Sequence, residues 1–177
     1  MMPMPEKEWW LEVEGPRLAQ GDYMPDCLVP FFKPDYGEAK KAEEVPVKEY
    51  NCIVVTQTCD LEQDKAQLVA LCPIYPITMY EQVNPKFREK GAWERVRQGR
   101  IVGLHMMASQ ADPANNQACM VANFREVYSL PVEYLRQRAS NLGRRLRLQS
   151  PYLEHFSQAF ARFFMRVGLP SSIPPFK

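Results

Sequence analysis

The stretch Thr56-Gln57-Thr58-Cys59-Asp60 sets a thiol between a hydroxyl and a carboxylate, at the end of the apolar run Cys52-Ile53-Val54-Val55. A thiolate is a strong nucleophile once a nearby base or cation lowers its pKa. Of the two histidines, His105 is the one in a strand-like segment, flanked by Leu104 and Met106. Histidine suits proton transfer near neutral pH, so Cys59, Asp60 and His105 form a candidate catalytic set. Thr56, Gln57 and Thr58, at the same strand end, are candidate ligand contacts, because sheet ligands often sit at such mouths. A plainer reading of the same residues is a turn in which Asp60 bonds backbone amides, Cys59 packs and His105 is a core side chain.

A second chemistry is carried by arginine. Arg136, Arg138, Arg144, Arg145 and Arg147 are five arginines within twelve residues of an otherwise balanced chain. The planar guanidinium fork matches phosphate oxygens, so Arg144, Arg145 and Arg147 are candidate contacts to RNA or another anionic ligand. The competing reading is a solvated edge strand whose arginines pair with carboxylates such as Glu133 and Glu154. Metal chemistry has little to stand on, since there are two histidines and no C-x-x-C pair. No cofactor is implied.

These groups must be positioned by a fold, and 177 residues suffice for one domain with a sizeable core. The chain is 46% hydrophobic and 24% charged, with 22 basic and 21 acidic residues, an ordinary globular profile that points to no charged partner. Five widely spaced cysteines, an odd number, fit free thiols in a reducing cytoplasm better than a disulfide framework. The first eleven residues carry Glu6, Lys7, Glu8 and two tryptophans, which is not the pattern of a secretory leader. No apolar run approaches the roughly 20 residues of a bilayer span, so a cytoplasmic protein off the membrane is expected.

Strands are expected over 27–32, 50–61 and 66–74, the last two paired through a loop at 62–65, and again over 100–107, 119–124 and 144–148. Thr78 is placed to cap a helix from Met79, Pro85 to open another carrying Phe87, Ala92, Trp93 and Val96, and Gly99 to end it. Pro131 opens a helix closed by Gly143, and Ser150 is placed to cap a last helix with Phe156, Ala159, Phe160, Phe163, Phe164 and Val167 along one face. Short strands followed by helices make the fold class α+β. The strands holding Val54, Val69, Ile101 and Val121 are expected to share one core.

Read in order, Gly21-Asp22, then Cys52 to Gln57, then Leu71-Cys72-Pro73-Ile74, then Val121-Ala122-Asn123-Phe124-Arg125-Glu126-Val127-Tyr128-Ser129-Leu130 resembles the MazF/PemK growth-inhibitor toxin family. The likeness spans residues 21–138 with a helical insertion at 78–99 and an extension from 144. It implies a single domain built as a small Src-homology-type β-barrel that handles single-stranded RNA, in a toxin–antitoxin or defence setting. The family carries an arginine at the head of its second strand and a threonine after the Pro-Ile pair; here Tyr50-Asn51 and Tyr75 stand at those places. A pentavalent phosphate needs a cation or preorganised donors at its developing charge, so ribonuclease activity is expected to be weak or lost. Gln20-Gly21-Asp22, Thr58-Cys59-Asp60-Leu61 and residues 164–170 also resemble a family of uncharacterised bacterial proteins, which implies no activity. Two readings follow: an RNA-facing barrel, or a non-catalytic module that recognises a protein partner, a second copy or a small ligand.

Overall fold

The computed structural model of the chain describes residues 8–32, 44–112 and 114–165. The expected excursion at 33–43 and the helix stop at Gly168 lie outside the described residues. Eight strands and five α-helices are found there, in the mixed α+β arrangement expected. β2 (Tyr23–Pro30), β3 (Val47–Val54), β4 (Leu68–Pro76), β5 (Leu104–Met107), β6 (Met120–Asn123) and β7 (Tyr128–Pro131) form one antiparallel sheet in the order β2-β3-β4-β6-β5, with β7 also on β4. β1 (Trp10–Glu14) pairs with β8 (Arg144–Leu148) in a separate ribbon, joined to the sheet by a bridge between Asp22 and Arg147. The hydrogen-bonded path has two ends, so no closed barrel is present among the described residues.

From Cys52 onward β3 is buried on both faces, as its unbroken apolar run predicts. Cys52 and Val54 point to a cluster closed by Leu135 and Ala139 of α4 (Val132–Leu142); Ile53 and Val55 point the other way, to Trp10, Leu148 and Phe156 of β1, β8 and α5 (Tyr152–Phe164). A third cluster, Tyr80, Val96, Leu104 and Val121, lies under α2 (Ile77–Val83) and α3 (Ala92–Arg97). Val54 and Val69 therefore share a core, while Val121 and Ile101 belong to the third cluster. Ile101 is not in a strand, because Gly103 turns the chain at φ +97° before β5 begins. That φ favours glycine, and a Cβ at Gly103 would also come within 2.8 Å of Arg125 Cζ and force the guanidinium to shift.

Several expected boundaries move for local reasons. The polar end of the expected 50–61 strand is a short helix, α1 (Thr58–Glu62), since Gln57 O accepts from both Asp60 and Leu61 N–H. Thr78 lies inside α2 and does not cap it, because Ile77 N–H is already satisfied by Cys119 O at 3.1 Å and Pro76 leads straight into the first turn. Ser150 is likewise displaced as a cap by Pro151. β6 and β7 run along the same edge of β4, yet from Ile74↔Ala122 to Leu71↔Tyr128 β4 moves three positions (74 − 71) and its partner six (128 − 122). The three extra residues form an outward bulge that carries Arg125 and Glu126. No helix among the described residues is long and apolar enough to cross a membrane.

Candidate functional site

The Thr56–Asp60 hydroxyls are occupied by the backbone. Ala70 N–H donates to Thr56 Oγ1 at 2.7 Å, and Gln20 N–H donates to Thr58 Oγ1 at 3.1 Å. Buried Gln20 in turn donates from Nε2 to Val55 O at 2.9 Å and accepts from Ser157 Oγ at 3.0 Å. This segment thus ties the lead-in of β2 to α5. Gln57 and Cys59 remain exposed, and the Cys59 thiol lies 3.9 Å from Asp60 Oδ1.

His105 sits elsewhere, on β5. Its ring packs against Phe124 at 6.2 Å and Phe156 at 5.7 Å between centroids. It lines a cleft of about 390 Å³ that does not include Cys59. Burial, and then His155 nearby, bring its pKa down from 6.5 to about 4, so the imidazole is neutral at physiological pH. An unfolded chain takes up this proton near pH 6.5 and the folded one only near 4. Stability is therefore fully present above pH 6.5 and falls as pH drops from 6.5 toward 4. Urea unfolding at pH 7.0 and 4.5 should show that loss, and His105→Gln should shrink it.

The arginines are committed to ion pairs. Asp22, fully buried, accepts from Arg145 Nε at 3.0 Å, from Arg147 Nη2 at 3.1 Å and Arg147 Nε, and from Ala19 N–H at 3.0 Å. Arg145, itself buried, also donates to the carbonyls of Gly15, at 2.6 Å, and Arg17. Arg144 is exposed but pairs with Glu12 at 3.1 Å and Glu14 at 3.0 Å. Arg136 bonds Asp64 and Glu133, and Arg138 donates to Pro25 O at 2.7 Å. Strand β8 is thus a charge-neutralised joint, with little cationic surface left for phosphate.

A polar cluster that the residue types did not single out lies across β3, β4 and the β6–β7 bulge. Tyr75 OH donates to Glu126 Oε2 at 2.8 Å, Tyr128 OH to the same oxygen at 3.3 Å, and Asn123 Nδ2 to Oε1 at 2.6 Å. Tyr50 packs on Tyr128 at 5.1 Å. Burial foremost, and then the bond to Glu126, push the Tyr75 hydroxyl well above its ordinary pKa; burial, the bond to Tyr50 and Glu126 do the same for Tyr128. Both stay protonated donors around a carboxylate. Of the places where the growth-inhibitor likeness puts arginine and threonine, Tyr50-Asn51 and Tyr75, Tyr50 and Tyr75 therefore meet in one cluster that among the described residues supplies negative charge and no cation, while Asn51 Oδ1 accepts from Asp26 N–H at 3.1 Å. The Tyr75 and Tyr128 hydroxyls are both engaged with Glu126.

No family model, curated protein or solved structure matches this chain. The growth-inhibitor likeness accordingly rests on residue order alone.

The cleft at His105 is bounded by α3, β5 and α5 and adjoins a larger one of about 650 Å³. Trp9, Arg97 and Met106 line both, which makes them two halves of one groove. The smaller half carries Arg97, Arg162, His105 and His155 and no carboxylate; the larger is walled by Trp93, Met107 and Cys119 together with Glu81 and Glu94, which accept from Trp93 Nε1 at 2.8 Å and pair with Arg97 respectively. Among the described residues no group of three or more histidine, cysteine, aspartate or glutamate side chains is placed to hold a metal.

Proposed function

We propose that the protein is a non-catalytic recognition module that binds a partner in the groove beside β5, on an open relative of the Src-homology-type barrel. The observation that carries this reading is the groove itself, one half free of carboxylates and bearing Arg162, the other mainly apolar with its two carboxylates already paired, at the end of the described strand path. The separation of Cys59 from the His105 cleft supports it, as does the absence of a cation in the tyrosine cluster. The barrel kinship is supported by the Asp22–Arg147 bridge at one end of the sheet and by Trp10 Nε1, which donates to Ala108 O at 3.1 Å just past β5. These contacts wrap the ribbon around the sheet without completing a ladder.

The RNA-facing reading makes the opposite demand, because phosphate binding depends on summed free cations and weakens with salt. Titrating labelled single-stranded RNA at 50 and 200 mM salt should give no binding that falls with salt, and a gel should show no cut product. Binding that drops steeply between the two salts would restore the RNA reading, and cutting that depends on Cys59 or His105 would replace both.

A further inference from the structure

Among the described residues β5 is the last strand in the sheet, and one of its edges has no neighbouring strand. Which backbone groups that edge offers follows from pairing parity. Phe124 N–H donates to Gly103 O at 2.8 Å, and β5 pairs with β6 in the register His105↔Ala122. In an antiparallel ladder successive residues turn their N–H and C=O alternately toward and away from the neighbour. Gly103, His105 and Met107 thus face β6, while Leu104 and Met106 face outward. The flanking contacts agree: Val102 O accepts from Arg125 Nη2 at 2.8 Å, and Ala108 O accepts from Trp10 Nε1. Side chains therefore occupy both ends of this edge. Between them the Leu104 and Met106 amides and carbonyls have no hydrogen-bond partner among the described residues, and both residues line the groove.

Resting on the recognition reading above, we infer that an extended segment of a partner protein adds to the free edge of β5, pairing with Leu104 and Met106 and placing an acidic side chain in the carboxylate-free half of the groove. A strand edge supplies affinity through the main chain and leaves selection to alternate side chains. Here one set of side chains meets Arg162 and His155 on α5. Arg162 is exposed, with no ion pair among the described residues, whereas Arg97 is already clasped by Glu94 at 2.5 Å. The other set reaches the half walled by Trp93 and Met106, where Glu81 and Glu94 are already paired and disfavour a further acid, so an apolar residue fits. The occupant is therefore a short strand of alternating apolar and acidic residues.

The test titrates the full chain with a pool of blocked hexapeptides of alternating valine and glutamate, followed by tryptophan fluorescence, since Trp9 and Trp93 line the groove, and by amide exchange. The expected result is a saturable signal with slowed exchange at Leu104 and Met106. N-methylation of alternate peptide amides, tried in both registers, should weaken binding at least tenfold in one register. Lysine in place of glutamate should weaken it similarly. Arg162→Glu, an exposed change that leaves the fold intact, should weaken the glutamate peptides and strengthen the lysine ones. Binding without protection of Leu104 and Met106, or indifferent to N-methylation, overturns strand addition while leaving recognition by the groove in place. No binding up to 1 mM peptide overturns strand addition, and so does a dimer of the free protein with these two amides already protected, which would make a second copy the occupant.

Discussion

Replacing Asp22 with alanine lowers stability by about 3–5 kcal/mol, the cost of stranding a buried charge after its partner is removed. Arg145 is as buried as the aspartate, with side-chain exposures of 1% and 0%, so water cannot stand in for the lost carboxylate. The Gly15 and Arg17 carbonyls still accept from the guanidinium, but they carry no full charge. At a few degrees per kcal/mol for a domain of this size, Tm falls by about 6–20 °C. Urea unfolding should show an earlier midpoint with an unchanged slope. Arg144→Ala, at the exposed end of the same strand, should cost no more than about 1 kcal/mol. Joint replacement of Asp22 and Arg145 by leucine and methionine should recover only part of the loss, since it removes the stranded charge but leaves Arg147, Ala19 N–H and the Gly15 carbonyl without their partners. A loss below about 1 kcal/mol for Asp22→Ala would mean that solvent reaches Arg145.

Phe156→Ala is the second large effect, about 3–5 kcal/mol. The ring is fully buried in the cluster of Trp10, Ile53, Ile74, Phe124 and Leu148, so its removal leaves a void that strands and helix must bridge. Phe124 and His105, with centroids 5.6 and 5.7 Å away, lose their edge-to-face partner at the same time. Phe164, at the far end of α5, is 54% exposed, and Phe164→Ala should stay within about 0.5 kcal/mol. Thermal melts of the two variants separate a buried face from a solvated one; equal shifts would refute the placement of α5.

The apolar runs reveal their strands because each is buried on both sides. β3 and β4 are read directly, and so is their pairing, since Ile53, Val54, Leu71 and Cys72 leave no polar position to blur the pattern. The aromatic face of the last helix is legible for the same reason at Phe156. What the sequence hides is long-range polar pairing. Arginines within twelve residues look like a cationic patch, but the carboxylate that neutralises two of them is more than 120 positions away in the chain. Glu126 reads as one acid among many until the bulge between β6 and β7 turns it onto Tyr75, 51 residues upstream. Helix starts at Ile77 and Tyr152 are obscured by prolines that fix the preceding bend without a side-chain cap. The groove has no signature at all, because its halves come from segments that share no local pattern.

The pairing of β1 with β8 also dictates when this protein can finish folding. Trp10 and Leu148 are register partners, and between them they shield the Ile53, Cys72 and Ile74 side of the sheet together with α5. On a translating ribosome that side is made early, but its cover arrives only after α5 emerges. At about 5–20 residues per second the wait is roughly 5–20 s from Ile74 to Phe164. Throughout it the nascent chain presents an apolar sheet face that a holding chaperone can occupy, and a ribosome stalled before β8 leaves that face permanently bare.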